Sequence, residues 1–265
     1  MKASEIFNAG LLSNQVVAVT GGATGIGLAI VEECAALGAK IAIGARNEDR
    51  LQITKETLSK AGVSVFTAPL NIRDDKQVND WVEAVCAHYG EINVLVNNAG
   101  GQFPSPAISI RNKGWRAVID TNLNGTWYMT RATATRMQTF GGGRIINIVA
   151  NMWRGFPGMA HTGAARAAVV NLTKTLSLEW AKHGILVNAV APGVIRSSGL
   201  DTYPEALREV IWTEAPKQVP LKRMGEVDDV AWAVAYLAGP AGRYITGATL
   251  CVDGGQAHWG NVFPV

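Results

Sequence analysis

The sequence predicts a doubly wound α/β fold, in which helices cover both faces of one parallel sheet of about seven strands. Short runs of β-branched and other apolar residues alternate with helical patterns from about residue 15 to residue 252. Several of these runs are apolar on both faces, as strands of a sheet buried between helices must be. No repeat or linker interrupts the alternation, so we expect a single domain over residues 1–265.

The predicted elements follow one another in strict alternation. The strand candidates are short runs bounded by turn residues, and they are Gln15–Val19, Lys40–Ile43, Val63–Phe66, Val94–Val96, Arg144–Val149, Leu186–Val190 and Thr249–Val252. The clearest helical stretches are Ile26–Leu37, Glu48–Lys60, Asp74–Tyr89, Lys113–Phe140, His161–Lys182 and Glu226–Leu237. Each strand feeds a helix that returns the chain to the next parallel strand, which is typical of a doubly wound sheet.

One segment, residues 197–225, breaks this alternation. It contains three prolines, aromatic residues and mixed charges, and it is too long for an ordinary connection. Long loops in compact domains usually have a function, so we interpret the segment as a substrate lid. The alternative is a packed insertion with no role in binding.

Composition excludes several classes of protein. With 48% hydrophobic and 17% charged residues, the chain can bury a sizeable core and is not disordered. Its 24 basic and 21 acidic residues are scattered, without the basic stripe that nucleic acid requires. Three widely separated cysteines lack the spacing of a disulfide framework or a zinc site, so we expect no metal and a reducing compartment.

The sequence also matches none of the targeting signals that we consider. No apolar run approaches the roughly 20 residues that cross a bilayer. Charged and polar residues interrupt the N-terminal segment where a signal peptide has its apolar core, and the C-terminal residues match neither a lipidation box nor the peroxisomal tripeptide. We therefore expect a soluble, cytoplasmic protein without membrane partners.

A glycine-rich turn follows the first strand and opens directly into a helix. It runs from Thr20 to Gly27, with glycines at positions 21, 22, 25 and 27. Glycines allow left-handed backbone angles and a close approach of the backbone to a pyrophosphate, while the helix N-terminus offers unpaired N–H groups. The pattern favours a nucleotide site over a glycine turn that binds nothing.

The spacing of Gly21, Gly25 and Gly27 resembles that of the short-chain dehydrogenase/reductase superfamily. Four further motifs agree in order and spacing: Asn97–Gly100, Asn122, Pro192–Gly193, and Tyr244–Gly247 leading to Val252–Gly255. The resemblance covers roughly residues 12 to 256. It implies a Rossmann fold, a nicotinamide cofactor and usually a homotetramer.

The same resemblance implies which residues hold the cofactor. The glycine turn would bind the pyrophosphate, the segment after the fourth strand would lie against a ribose, residues 71–72 would flank the adenine, and residues 192–197 would hold the carboxamide and a phosphate. These residues are Gly21, Thr24, Gly25, Ile26, Gly27, Asn71, Ile72, Asn98, Ala99, Gly100, Pro192, Gly193, Ile195 and Ser197. Ordinary turn residues, and for Ser197 a solvent-exposed serine, are the alternatives.

Arg46 decides which nicotinamide cofactor the sequence favours. It stands at the end of the second strand, about 20 residues after the glycine turn, where an NAD enzyme places a carboxylate for the ribose 2′-hydroxyl. A guanidinium can instead fork onto a 2′-phosphate. Arg46, with Arg50 as a second candidate, therefore predicts NADPH, unless Arg46 is merely a solvated residue at a helix start.

The superfamily's usual Ser, Tyr and Lys active site is not matched here. Val149 and Ala150 stand where the serine belongs, Thr162 occupies the tyrosine position and Arg166 the lysine position. Spaced by four on a helix, the last two side chains share a face. Reduction of a ketone needs a proton donor such as a phenol, and threonine is far too weak an acid.

Reduction of a double bond conjugated to a thioester needs a different kind of site. Hydride adds to the β carbon and leaves an enolate, whose oxygen needs hydrogen bonds more than a proton. We predict that Asn122 and Thr162 supply those hydrogen bonds and that Arg166 is the third catalytic residue. The proton for the α carbon would come from water or from a group such as His161.

A closer resemblance supports this interpretation. The segments Asn98–Phe103, Gly155–Arg166 and Asn171–Lys174 look like the peroxisomal trans-2-enoyl-CoA reductase group, a branch near the 2,4-dienoyl-CoA reductases. It implies NADPH-dependent reduction of a 2-enoyl thioester, with Arg166 as the cation under the nicotinamide ribose. The chain departs from the group at Val170, at Met152–Arg154 and in lacking a peroxisomal ending.

The leading hypothesis from the sequence is thus an NADPH-dependent reductase of an acyl thioester. Two alternatives remain open. One is an NADP(H)-dependent alcohol or carbonyl dehydrogenase with a proton route that does not use tyrosine. The other is a catalytically silent NADP(H)-binding regulator.

Overall fold

A parallel sheet forms the centre of the computed structural model, which describes residues 6–258 apart from the side chain of Thr202. The strands are β1 (Val16–Thr20), β2 (Lys40–Ala45), β3 (Val65–Pro69), β4 (Val94–Asn97), β5 (Gly143–Ile148), β6 (Ile185–Pro192), β7 (Ile195–Arg196), β8 (Gly225–Glu226) and β9 (Thr249–Val252). Seven of them lie in the order β3-β2-β1-β4-β5-β6-β9, and all neighbours are parallel. This order is that of a doubly wound sheet, so the predicted fold class is confirmed.

Helices connect the strands on both faces of the sheet. They are α1 (Gly25–Ala36), α2 (Glu48–Lys60), α3 (Asp75–Tyr89), α4 (Asn112–Ile119), α5 (Gly125–Thr139), α6 (Ala160–Trp180), α7 (Glu205–Gln218) and α8 (Val227–Ala238). Strands β7 and β8 form a separate two-stranded ladder. Within residues 6–258, no helix is both long and apolar enough to cross a bilayer.

Two apolar cores lie on opposite faces of the sheet. Alternate residues of β1 belong to different cores: Val17 and Val19 pack with α1 and α8, whereas Val16 and Ala18 pack with α3 and α5. This alternation follows from the period of two along a strand. It explains why the strands read as continuous apolar runs in the sequence.

The structure corrects the predicted helix Lys113–Phe140. Helices α4 and α5 are separated by a π-helical turn, Asp120–Asn124. Asn122 lies in this wider turn and hydrogen-bonds outside the helix, to Gly101. Such turns often occur at functional sites. Sequence periodicity does not reveal this turn because it depends on a contact between residues 21 positions apart.

Strand β3 and the segment 197–225 also differ from the prediction. Strand β3 is Val65–Pro69 rather than Val63–Phe66, and it pairs with β2 from Ile41 to Ala45 at the edge of the sheet. A proline can end an edge strand because no further neighbour needs its missing N–H group. The segment 197–225 contains helix α7, which the sequence analysis does not predict.

The loops that leave β1 and β4 face each other at the carboxyl edge of the sheet. These strands are neighbours, but β1 leads toward β2 on one side while β4 leads toward β5 on the other. A crevice opens where the strand order reverses in this way, and ligands of doubly wound sheets bind there. The fold thus places the glycine-rich turn and the Asn97–Gly100 segment on the same crevice.

Candidate active site

A cavity of about 400 Å³ occupies this crevice. It extends from the glycine-rich turn past the ends of β2 and β3 to the loop after β4. Most of the residues predicted from the sequence to hold a cofactor line it. These are Gly21, Thr24, Gly25, Ile26, Gly27, Arg46, Asn71, Ile72, Asn98, Ala99, Gly100 and Ser197.

The glycine-rich turn has the geometry of an anion site. Gly21 has a φ of 67°, and a Cβ at Gly27 would lie only 2.3 Å from the Gly21 carbonyl oxygen. Helix α1 begins without a side-chain cap from Thr24 and without an acidic residue in its first turn. Its first N–H groups and the positive end of its dipole are therefore left for a ligand. The turn fits the pyrophosphate of a dinucleotide.

Thr20 fixes the loop after β4 against this turn. Its hydroxyl oxygen accepts hydrogen bonds from the backbone N–H groups of Asn98 (3.1 Å) and Ala99 (3.0 Å). The Asn98 side chain in turn donates to the carbonyl oxygens of Thr20 (3.0 Å) and Gly21 (3.2 Å). The two loops therefore form one rigid wall of the cavity. Sequence reasoning did not assign Thr20 this role.

Three arginines line the other end of the cavity: Arg46, Arg50 and Arg73. Their side chains are exposed, and none of them forms an ion pair with a carboxylate in the part of the chain that the structure describes. Arg73 was not predicted, although it follows directly on Asn71 and Ile72. The three guanidinium groups make this end of the cavity suited to a phosphate.

Arg166 lies beyond Gly100 and is almost completely buried. Its Nη1 donates to the Ile148 carbonyl oxygen at 2.8 Å. Burial lowers the pKa of Arg166 to about 10, so the side chain still carries its charge at neutral pH. No carboxylate among residues 6–258 pairs with it. A buried cation without a counter-ion is costly, which points to a ligand with negative charge.

Gly100 brings Arg166 and Asn122 together. A Cβ at residue 100 would lie 2.5 Å from the Arg166 Nη2 and 2.8 Å from the Asn122 Oδ1. Only a residue without a side chain allows both groups to approach the loop this closely. The three residues that the sequence places in different motifs therefore meet at one point.

Asn122 uses its carboxamide to hold this loop. Its Nδ2 donates to the carbonyl oxygens of Gly101 (2.6 Å) and Val118 (2.9 Å), and its Oδ1 accepts from the Gly101 N–H group (3.3 Å). Both N–H hydrogens are thus in use. The sequence analysis expects Asn122 to donate to an enolate, but in this geometry it positions the loop and has no free donor.

Thr162 and His161 are fully buried at the start of α6. The His161 Nδ1 accepts the backbone N–H of Thr162 at 2.8 Å and lies 3.2 Å from the Thr162 Oγ1. The ring of Phe103 packs edge-to-face on the imidazole, with 4.5 Å between the ring centroids. Thr162 and Arg166 lie one turn apart on α6, as predicted from their spacing.

Tyr203, from segment 197–225, reaches the same region. Its hydroxyl accepts a hydrogen bond from the Gln102 Nε2 at 2.6 Å and lies 4.0 Å from the Met159 Sδ. Gln102 directly precedes Phe103 and directly follows the residue that Asn122 holds. Sequence reasoning missed Tyr203 and Gln102 because nothing local indicates a contact across 101 positions.

The other predicted residues lie outside the cavity lining: Asn122, Thr162, Arg166, Pro192, Gly193 and Ile195. Pro192 ends β6, Gly193 packs against Asp253, and Ile195 is buried in β7 opposite Gly225. They form the wall next to Ser197, whose neighbour Ser198 approaches Gly25. The structure thus places residues 192–195 beside the crevice rather than in its lining.

Several known proteins are similar to this chain over most of its length. A family model described as "Enoyl-(Acyl carrier protein) reductase" matches residues 21–257. A probable 2,4-dienoyl-CoA reductase of Bacillus subtilis is 34% identical, covering 96% of this chain and 100% of its own length. The 3-oxoacyl-[acyl-carrier-protein] reductase FabG of Staphylococcus epidermidis is 36% identical, covering 92% of this chain and 99% of its own.

The similarity to known proteins extends to the fold of a solved structure. The citronellol catabolism dehydrogenase AtuB of Pseudomonas aeruginosa superposes with a TM-score of 0.85 and is 39% identical, covering 96% of this chain and 99% of its own. Together with the glycine turn at the switch point of a doubly wound sheet, these matches identify the family. The protein belongs to the short-chain dehydrogenase/reductase superfamily and is an oxidoreductase of the type that binds a nicotinamide cofactor.

Proposed function

We propose that the protein uses NADPH to reduce the double bond of a 2-enoyl thioester. The observation that carries this proposal is the pair Thr162 and Arg166 at the positions of the usual tyrosine and lysine, with the guanidinium buried and unpaired by any carboxylate within residues 6–258. The dienoyl-CoA reductase relative supports the same class of substrate.

The site fits the cofactor that this reaction needs. The turn at Gly21–Gly27 would hold the pyrophosphate, and the arginines at the far end of the cavity would hold a 2′-phosphate. Arg166, which lies against Gly100 of the cavity lining, would be near the nicotinamide ribose. When bound, the nicotinamide supplies the hydride that adds to the β carbon of the substrate. Small residues at 98–100 leave room for the ribose against the backbone.

The chain's own residues then stabilise the charge that develops on the substrate. The electrons of the double bond pass to the thioester oxygen, and the Thr162 hydroxyl would donate a hydrogen bond to it. The α carbon then takes a proton from water, which completes the reduction. The positive charge of the buried Arg166 favours the same anion. Asn122 acts indirectly, because it holds Gly101 and hence the loop against which the substrate would lie.

Tyr203 does not replace the missing phenol as an acid. Burial raises the pKa of Tyr203, and the hydrogen bond from Gln102 offsets this only in part. The hydroxyl contacts Gln102 and Met159 rather than Arg166, so Tyr203 lacks the neighbouring cation that lowers the pKa of the usual tyrosine. The site therefore favours an enolate over the alkoxide that forms when a ketone is reduced.

A direct assay tests the proposal. NADPH absorbance is followed with crotonyl-CoA and with a longer 2-enoyl-CoA, and consumption of NADPH above the substrate-free rate is expected. A second candidate, an alcohol or carbonyl dehydrogenase, is favoured by the names of the FabG and citronellol relatives. Turnover of a 3-oxoacyl thioester or of citronellol without enoyl reduction would favour it. Tight NADPH binding without any turnover would indicate a regulator.

Replacing Thr162 by valine tests the enolate donor. Valine has the same shape but no hydroxyl, so we expect enoyl reduction to slow by about tenfold or more, as the loss of one hydrogen bond to a charged group predicts. The affinity for NADPH should stay the same, which fluorescence titration measures. Thr175→Val, at an exposed position of the same helix, is the control. An unchanged rate of enoyl reduction would rule out the hydroxyl.

We also propose that segment 197–225 is a lid over the substrate. Helix α7 within it contributes no buried residue, and its Trp212 and Val210 are exposed. The segment is tied to the loop after β4 by the hydrogen bond between Tyr203 and Gln102. Thr162 is fully buried, so a thioester reaches it only after part of the chain opens. We infer that this contact is the one that opens.

Replacing Tyr203 by phenylalanine should therefore loosen the lid. The loss of one buried hydrogen bond, about 1 kcal/mol, predicts backbone hydrogen exchange about fivefold faster in residues 98–105 and 197–225. Hydrogen-exchange mass spectrometry measures this, with Tyr244→Phe at a fully exposed position as the control. Equal exchange in both variants would contradict the lid contact.

A homotetramer is the oligomeric state that we infer from the family resemblance. The exposed apolar side chains of Ile108, Leu178 and Tyr244 support self-association. Light scattering on the full chain measures the mass. A monomer would contradict this inference without affecting the proposed reaction.

A further inference from the structure

His161 carries a buried hydrogen-bond donor that no residue of the described chain pairs with. The residue is the second of α6, directly before Thr162, and its side chain is completely buried. Its Nε2 makes no hydrogen bond within residues 6–258. The mechanism above does not use this group.

The hydrogen bond from the Thr162 backbone favours one tautomer of the ring. Because Nδ1 accepts the backbone N–H of Thr162, the ring hydrogen of a neutral His161 is on Nε2. Burial lowers the pKa of His161. The ring is therefore neutral at neutral pH, with Nε2 as a donor.

An unpaired donor in this position is costly. A buried N–H group without a partner has lost its hydrogen bonds to water and gained none in return, and such groups in folded proteins usually have a reason. The Phe103 ring covers the imidazole at 4.5 Å, and Phe103 belongs to the loop that also meets Arg166 and Asn122. The donor thus lies under a partly exposed aromatic side chain, one residue from Thr162.

We propose that the His161 Nε2–H group donates a hydrogen bond to the thioester oxygen of the substrate once Phe103 moves off the ring. The inference rests on the proposed enoyl reduction and names a second donor for the same oxygen, beside the Thr162 hydroxyl. It also replaces the donor that Asn122 cannot supply, since both of its N–H hydrogens are already bonded.

The weak acidity of a neutral imidazole excludes His161 as the proton donor. A neutral imidazole that gave up its Nε2 hydrogen would become an imidazolate, which is far too basic to form at neutral pH. His161 therefore holds the oxygen and does not protonate the α carbon. This is the use of a neutral histidine as an electrophile, for which triosephosphate isomerase is a known precedent.

Kinetics of two variants test the proposal. His161→Leu removes the donor and should lower kcat for crotonyl-CoA by at least about tenfold, as the loss of an oxyanion donor predicts. His161→Gln restores an N–H group at a similar reach and should recover most of that loss. The affinity for NADPH should be the same in both. His88→Leu, at an exposed position, is the control.

Equal kcat values for the wild type and His161→Leu would overturn the proposal. So would an equal loss in the leucine and glutamine variants, because that result indicates packing alone. If the wild-type protein itself fails to reduce enoyl-CoA, the proposed function has failed.

Nuclear magnetic resonance of ¹⁵N-histidine-labelled wild type avoids the risk that a variant misfolds. The free protein should show a neutral ring protonated on Nε2. In the complex with NADP⁺ and crotonyl-CoA, which does not turn over in the absence of a hydride, the Nε2–H signal should move to the position of a hydrogen-bonded donor. A signal that is unchanged in this complex, or a proton found on Nδ1, would contradict the proposal even in a protein that reduces enoyl-CoA.

Discussion

Arg166→Met is expected to abolish most enoyl reduction while leaving the fold at least as stable as that of the wild type. The guanidinium is buried, donates to the Ile148 carbonyl oxygen and has no carboxylate partner in the described range. Methionine keeps most of the apolar stem and removes the charge. We expect kcat/KM for crotonyl-CoA to fall between about a hundredfold and a thousandfold, the range for loss of a preorganised group at a developing anion.

The stability of the Arg166→Met variant should not fall together with its activity. A buried charge without a counter-ion is destabilising, and replacing it by an apolar side chain of similar volume is often neutral or stabilising. We therefore expect the Tm from circular dichroism to be unchanged or higher. Proteins often lose stability where an active site needs a residue that does not suit the fold.

Two further variants separate charge from shape. Arg166→Lys keeps a cation and should retain more activity than Arg166→Met. Arg131→Met, at an exposed ion pair with Asp75, should leave turnover unchanged. A methionine variant at residue 166 that reduces crotonyl-CoA at the wild-type rate would remove Arg166 from the mechanism, and one that fails to fold would show that the residue is structural.

The sheet could be predicted from the sequence because its signals are local. Apolar runs such as Val16–Val19 and the turn from Gly21 to Gly27 carry their meaning in a few adjacent residues. Helix α7 could not be predicted because it lacks such a local signal. It buries no residue and contains Pro216, so it has no apolar stripe of the kind that marks a packed helix.

Only those residues of the candidate site that belong to a recognisable motif could be predicted from the sequence. The sequence points to Thr162 and Arg166 through their spacing, and the structure places them on one face of α6. The sequence could not show that both N–H hydrogens of Asn122 bond to carbonyl oxygens, those of Gly101 and Val118. The bond to Gly101 depends on the path of a loop 21 residues away. The contact of Tyr203 with Gln102 is hidden for the same reason.

Arg46→Asp should weaken NADPH binding far more than NADH binding. The variant replaces a guanidinium that can fork onto the 2′-phosphate with a carboxylate that repels it. Loss of a charge-assisted hydrogen bond, about 1.5–3 kcal/mol, predicts an increase in the Kd for NADPH of between tenfold and roughly a hundredfold. Arg50 and Arg73 remain at that end of the cavity and limit the loss.

NADH binding should change little or improve in the same variant, because a carboxylate at this point of the fold can accept hydrogen bonds from the ribose 2′-hydroxyl. Fluorescence titration with both cofactors measures the two Kd values, and Arg111→Asp, at an exposed site outside the cavity, controls for the change in net charge. Added salt should weaken the binding of NADPH to the wild type more than to the variant, since screening acts on the attraction that the variant has lost. An equal loss of affinity for both cofactors would mean that Arg46 does not contact the 2′-phosphate, and the choice of cofactor would then depend on Arg50 and Arg73.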